Sequence, residues 1–313
     1  MTQSADIAGK APAGSAPLLG LLLLCSFLWA TAYLLMKVLG TDIAPMPLTA
    51  IRGMLGGGLL ALWLLARGHG ILPRGREWRD WIVLGILQGI VPNTLTAYAL
   101  ADTEAGLAAL IAASSPLMVA VLAHLLFADQ RLTGRRAGGV LAGFAGMAIL
   151  IGPAAVSGSG LFGPLAMLAT AASYAVGVIY VRSIPAPQPV RLALGQQVFS
   201  GLPTMIAVLA ITGPAAFVAV PAHGLELVVF GVFSTALPIA LYMQILRLAG
   251  PTLGSMNAYL TPVWTVLLGV VILHETVGPR EILGGLVVLG GIAIASSARA
   301  QGGLSRTGSA AEP

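Results

Sequence analysis

Residues 81–100 read WIVLGILQGIVPNTLTAYAL, and residues 227–246 read LVVFGVFSTALPIALYMQIL. Laid over one another at an offset of 146 residues, without a gap, they match Gly85 to Gly231, Pro92 to Pro238, Leu95 to Leu241 and Leu100 to Leu246. Both stretches are apolar enough for a membrane helix. Both carry a proline at the same place, and the first adds Asn93 beside it. Proline removes a helical hydrogen bond, and an amide in hydrocarbon needs a partner that lipid cannot supply. The register continues through Leu107/Leu253, Ala112/Ala258, Pro116/Pro262, Asp129/Glu275 and Gly138-Gly139/Gly284-Gly285. One residue shorter, LWATAYLLMK (28–37) lies over SYAVGVIYVR (173–182), matching Trp29 to Tyr174 and Lys37 to Arg182. Leucine matches are cheap in such a chain, but prolines, glycines and acids in one register indicate an internal repeat.

Composition agrees with a membrane protein. Of 313 residues, 57% are hydrophobic and 9% are charged, where a soluble domain carries about a quarter charged residues. The single cysteine, Cys25, excludes an intramolecular disulfide framework and a four-cysteine metal site. The net charge of +5 is explained by basic loops on one membrane face, with no nucleic-acid partner implied. The first apolar run, PLLGLLLLCSFLWATAYLLMKVL (17–39), is longer than the roughly 7–15 residues of a signal core and long enough to span the bilayer. It reads as an uncleaved first span.

Apolar windows fall at 18–38, 46–67, 80–100, 105–127 and 135–153, then at 160–182, 190–212, 224–247, 254–273 and 279–297. The expectation is an all-α membrane protein of ten transmembrane helices. Residues 1–17 form a disordered cytoplasmic tail, 18–153 a first five-helix repeat, 154–297 a second, and 298–313 another disordered tail. With the N-terminus inside, 13 of the 16 basic residues fall on the cytoplasmic side, among them Lys10, Arg67, Arg74, Arg76, Arg79, Arg182, Arg247 and Arg299. Lys37 and Arg280 fall outside, and Arg52 lies within a span. That split places both termini in the cytoplasm of a cell inner (plasma) membrane protein. Five is an odd number, so the second repeat enters inverted. Inverted repeats around interrupted helices characterise secondary transporters, with the site near the midplane. Pro92 and Pro238 are then expected as matching helix interruptions framing a central cavity.

On WATAYLLMK (29–37), PLTAIRGML (47–55), SPLMVAVLAHLLFADQRLTGRRAGG (115–139) and YLTPVWTVLLGVVILHETVGPREILGG (259–285), the chain resembles an EamA-type member of the drug/metabolite transporter superfamily over residues 18–297. The family pattern ends its fourth and ninth helices with Gly-Glu followed by Leu-Thr. Here the fourth ends Asp129-Gln130-Arg131-Leu132-Thr133 and the ninth His274-Glu275-Thr276-Val277-Gly278, a partial departure. The resemblance implies transport of a small metabolite, often outward, and often of amino acids or related compounds.

The candidate substrate-binding residues are polar or aromatic and lie within spans. Arg52 either anchors a substrate carboxylate through its guanidinium fork or snorkels to the surface and pairs with a loop acid. Gln88, Asn93 and Tyr98 share the third span, with Tyr242 and Gln244 in its counterpart; such groups line cavities or glue helices. Trp29, Tyr33, Tyr174, Asn257, Tyr259 and Trp264 complete the set, although tryptophan also favours membrane interfaces. Gly138-Gly139, Gly284-Gly285, Gly290-Gly291 and the Gly139–Gly143 spacing point to close helix packing. All eleven acids fall in tails, loops or span ends, so transport is expected to run as facilitated diffusion or exchange. His124 is either a proton carrier or a packed polar residue. No HExxH, GxSxG or Walker motif and no acidic metal cluster occurs, so no enzyme, cofactor or metal is expected. A non-transporting scaffold or receptor is the main alternative, ahead of an intramembrane enzyme.

Overall fold

The computed structural model describes residues 16–127, 131–152, 160–185, 188–254 and 256–304, with backbone alone at 243, 246–247, 249–253 and 296–304. The expected terminal tails and Asp129 fall wholly or largely outside the described residues, as does the side chain of Arg247. Among the described residues every regular element is helical. The first half holds α1 (Ala16–Leu39), α2 (Pro45–Ala66), α3 (Glu77–Gly85), α4 (Val91–Asp102), α5 (Ala105–Ala112), α6 (Ser115–Leu126) and α7 (Gly134–Ile151). The second holds α8 (Phe162–Arg182), α9 (Pro189–Ile211), α10 (Gly224–Gly231), α11 (Leu237–Gly254), α12 (Asn257–Leu273) and α13 (Pro279–Leu304). Eight stretches among the described residues are long and apolar enough to cross a membrane, including the continuous runs Glu77–Asp102, Ala105–Leu126 and Pro214–Tyr242. In the ninth expected window lies α12, an apolar helix of 17 residues; α13 occupies the tenth.

Prolines open several of these helices. Pro45, Pro116 and Pro189 sit in the first turn, where the missing N–H has no helical acceptor to serve and the fixed φ already suits a helix. Pro92 and Pro238 behave differently, because the chain stays helical through both. Just before each lies a five-residue π-helical turn, Ile86–Ile90 and Val232–Ala236, spaced by the same 146 residues as the prolines. Val91 N–H reaches back five residues to Ile86 O, and Leu237 N–H likewise to Val232 O. Pro92 cannot donate to Gln88 O, four residues back, and the widened turn presents that carbonyl sideways. Gln196 Nε2 takes it at 2.8 Å, and Ser173 Oγ takes the neighbouring Leu87 O at 2.7 Å. Both prolines are buried.

Small residues set the helix crossings. A Cβ on Gly291 would lie 2.5 Å from Gly143 N, and one on Gly146 would lie 2.7 Å from Val288 N, so α7 and α13 touch backbone to backbone. Gly53 and Gly201 do the same for α2 and α9, and Gly195 leaves the notch that receives the Trp81 indole. Of the paired glycines, Gly139, Gly284, Gly285 and Gly291 pack closely, while Gly138 and Gly290 have nothing within 4 Å. Such contacts let helices gain dispersion where lipid is as apolar as leucine and the hydrophobic effect drives nothing together. The outward faces carry Ile211, Leu141, Val271 and Leu286, each largely exposed, a surface suited to hydrocarbon and not to water.

Candidate functional site

A cavity of about 500 Å³ lies between the halves, with walls from α1, α2, α4, α5, α6, α8, α9, α11 and α12. Of the expected site residues, Trp29, Tyr33, Arg52, Gln88, Asn93, Tyr174, Tyr242 and Asn257 line it. Tyr98 and Gln244 do not, being exposed on the outer helix faces. At 100° per residue, Tyr98 stands about 140° round the helix from Asn93, and Gln244 about 140° round from the lining residue Ile239. Tyr259 packs against the main core cluster. Trp264 makes an edge-on ring contact with Phe27 at 5.4 Å. Pro92 and Pro238 act on the site only through the turns before them, since neither belongs to the lining.

Arg52 is the cation of this cavity. Its Nη1 donates to Asn93 Oδ1 at 3.0 Å and lies 3.5 Å from Met36 Sδ; its Nε donates to Thr235 Oγ1 at 3.3 Å. The guanidinium stands over the Phe230 ring, 5.1 Å from the centroid. Asn93, expected as a substrate-binding residue beside a proline, is thus the amide acceptor for the intramembrane arginine. Thr235, in the second π-turn, in turn donates to Phe230 O in α10, and Asn93 lies just after the first π-turn, so Arg52 has partners from both halves. Trp29 and Tyr242 face each other across the cavity wall at 5.3 Å.

Gln196 and Gln197 also line the cavity and escaped the sequence reading. The signal was present: two adjacent amides inside an apolar span call for partners. Gln196 supplies one to the π-turn, while Gln197 Oε1 and Asn257 Oδ1 are buried with no hydrogen-bond partner among the described residues. His124 lies off the cavity, where its Nδ1 accepts the Leu132 N–H at 3.1 Å. Among the described residues no group of three or more His, Cys, Asp or Glu is placed to hold a metal.

The lining takes the later part of α1 and the early part of α2, and at the end of the bundle where α8 finishes it takes the later part of α8 and the early turns of α9 and α12. The opposite end is tied shut across the halves. Glu275 Oε1 receives Lys37 Nζ and Ala105 N–H, each at 2.7 Å, and Oε2 receives Gly106 N–H at 3.3 Å. Lys37 also donates to Thr103 O at 3.1 Å. His223 meets Asp42 at 2.9 Å and Thr276 meets Glu104 at 3.3 Å. Glu275 is delivered there by the end of α12: His274 turns left-handed at φ 54, and Glu275 N–H bonds Gly269 O six residues back. Gly269 has no Cβ to meet the carboxylate, which folds back over it.

The model of the EamA-like transporter family matches residues 17–152 and again residues 161–297. The chain belongs to that family. A chloroplastic WAT1-related protein of Arabidopsis thaliana is 29% identical over 84% of this chain, which spans 65% of that relative's length. The uncharacterized inner membrane transporter YedA of Escherichia coli (strain K12) is 28% identical over 85% of this chain and 86% of its own. A solved crystal structure superposes at a TM-score of 0.64 with 22% identity, over 92% of this chain and 99% of its own, a likeness of fold. The protein is therefore a multi-span membrane transporter of the drug/metabolite type, which is not an enzyme class.

Proposed function

We propose that the protein is a secondary transporter that carries a small organic metabolite by alternating access between two inverted five-helix repeats, ten spans in all. The observation that carries this reading is the cavity built from both halves, closed at one end by contacts that cross between them. The repeat is supported by the two π-turns 146 residues apart, since they lie in the third and eighth spans, five places apart in the order, which reverses the second. The positive-inside rule puts Arg67, Arg182 and Arg191 in the cytoplasm. The cavity then opens inward, and the Lys37–Glu275 end is external. Both termini are cytoplasmic, in the plasma membrane. Among the described residues no Asp, Glu, Lys or His lines the cavity, which favours exchange or facilitated diffusion over proton coupling; a metabolite made in the cell then leaves.

The test is flux through liposomes holding only this protein and loaded with a cell metabolite extract. A limited set of solutes should leave with saturable, competitor-sensitive kinetics. Release that rises linearly with concentration for every solute would refute transport.

A further inference from the structure

We propose that the cavity receives a small organic monoanion, a carboxylate on an apolar or aromatic body, and discriminates against zwitterionic amino acids. The inference rests on the cavity being the transport site and concerns what it selects.

Arg52 is held without a counter-ion. Its partners are an amide, a hydroxyl, a thioether and an aromatic ring, all neutral, and among the described residues no carboxylate lies within 4 Å of it. Elsewhere this protein pairs its partly buried cations: Arg191 grips both carboxylate oxygens of Glu77 at 2.8 and 2.7 Å, and Lys37 meets Glu275. A desolvated guanidinium with no anion is costly unless something supplies the charge. At Arg52 the missing anion faces a cavity, and Nη2 has no acceptor among the described residues. The planar fork suits a carboxylate. The hydroxyls of Tyr33 and Tyr174, in the same lining, are engaged by no hydrogen bond among the described residues.

The remaining wall joins Trp29, Tyr242, Ala112 and Pro262 to the neutral amides and hydroxyls of Gln88, Gln197, Asn257 and Thr261, and among the described residues it holds no carboxylate. An ammonium group would find amide oxygens there, such as those of Gln197 and Asn257, but no acid to balance its charge. The carbonyl freed by Pro92 is already taken by Gln196. A single fixed cation also matches one negative charge better than two, which disfavours phosphate esters.

The test compares matched triplets on the purified full-length protein: 3-phenylpropanoate, its amide and phenylalanine; and 4-methylpentanoate, its amide and leucine. Binding is read by tryptophan fluorescence and by the ligand-induced rise in melting temperature. In at least one triplet the carboxylate should bind at least tenfold more tightly than both relatives. Asn93→Asp, which places an isosteric carboxylate on Arg52 Nη1 and gives it an internal counter-ion, should fold at least as stably and lose that preference by more than tenfold. If neither carboxylate leads its amide and amino acid tenfold, or Asn93→Asp leaves its affinity unchanged, the proposal falls. Carboxylate preference without any liposome flux would keep the anion site and remove the transport reading. Saturable flux of amino acids ahead of their deaminated analogues would keep transport and remove the anion site.

Discussion

Replacing Glu275 with glutamine should tip the protein toward opening at its closed end. The carboxylate is 6% exposed and its partner Lys37 28% exposed. Glutamine retains one acceptor oxygen, enough for one of the Ala105 and Gly106 N–H groups, and loses the charge that Lys37 meets. A charge-assisted hydrogen bond contributes about 1.5–3 kcal/mol against about 1 for a neutral one. Because water reaches Lys37, the roughly 3–5 kcal/mol cost of breaking a fully buried pair is too high here. A loss of about 2 kcal/mol is the working figure. At 1.4 kcal/mol per tenfold, that is roughly a 30-fold change in the equilibrium between closed and open. These contacts join α1 and α5 to the turn after α12, so they are made only while this end is shut. The loss therefore falls on that equilibrium and not on every state alike.

The assay places a single cysteine at Ala112, a lining position, in a Cys25→Ser background, and follows its alkylation by an impermeant maleimide from each face of oriented vesicles. Reaction from the Lys37–Glu275 side should accelerate by roughly 30-fold in Glu275→Gln. Lys37→Met should do much the same alone and add little to Glu275→Gln. Gly269→Ala should act in the same direction, because a Cβ there meets Glu275 Oε2. Unchanged accessibility in Glu275→Gln, or effects of the two charge variants that simply add, would show that the pair is surface decoration and not part of a gate.

Gly291→Ala should lower the melting free energy by about 1–3 kcal/mol, since its Cβ would press on the Gly143 backbone with no side chain to yield. Gly290→Ala, with nothing within 4 Å, should change it by less than about 0.5 kcal/mol; thermal unfolding followed by size-exclusion fluorescence reads both, and equal effects would place the α7–α13 contact elsewhere. Pro92→Ala restores an N–H that competes with Gln196 for Gln88 O, so initial flux per folded molecule should fall, and flux equal to the unaltered protein would make the π-turn a passive feature.

What could be read along the chain was whatever travels with backbone and period. The prolines showed where a donor is missing, and both π-turns lie within six residues before them. What replaces the donor was not legible, because Gln196 and Ser173 sit far away in sequence and approach only when α8 and α9 pack. Pro92 was accordingly expected to mark an interruption framing the cavity, whereas the Gln196 side chain covers the carbonyl it frees. Tyr98 and Gln244 were within reach of a stricter reading: span membership suggested them, while helical azimuth excludes them. Trp264 and Tyr259 were not, since only the packed bundle shows that Phe27 and the core receive them. The charges divide in the same way. Arg52 is visible in the sequence as a cation inside a span, and Glu275 as an acid at a span end. A sequence displays a charge but not its counter-charge. Glu275 proves to be satisfied by Lys37 and two backbone amides, and Arg52, among the described residues, by neutral groups alone. One charge is spent on holding the two halves together. The other, facing the cavity that lies between them, is left for a ligand to neutralise.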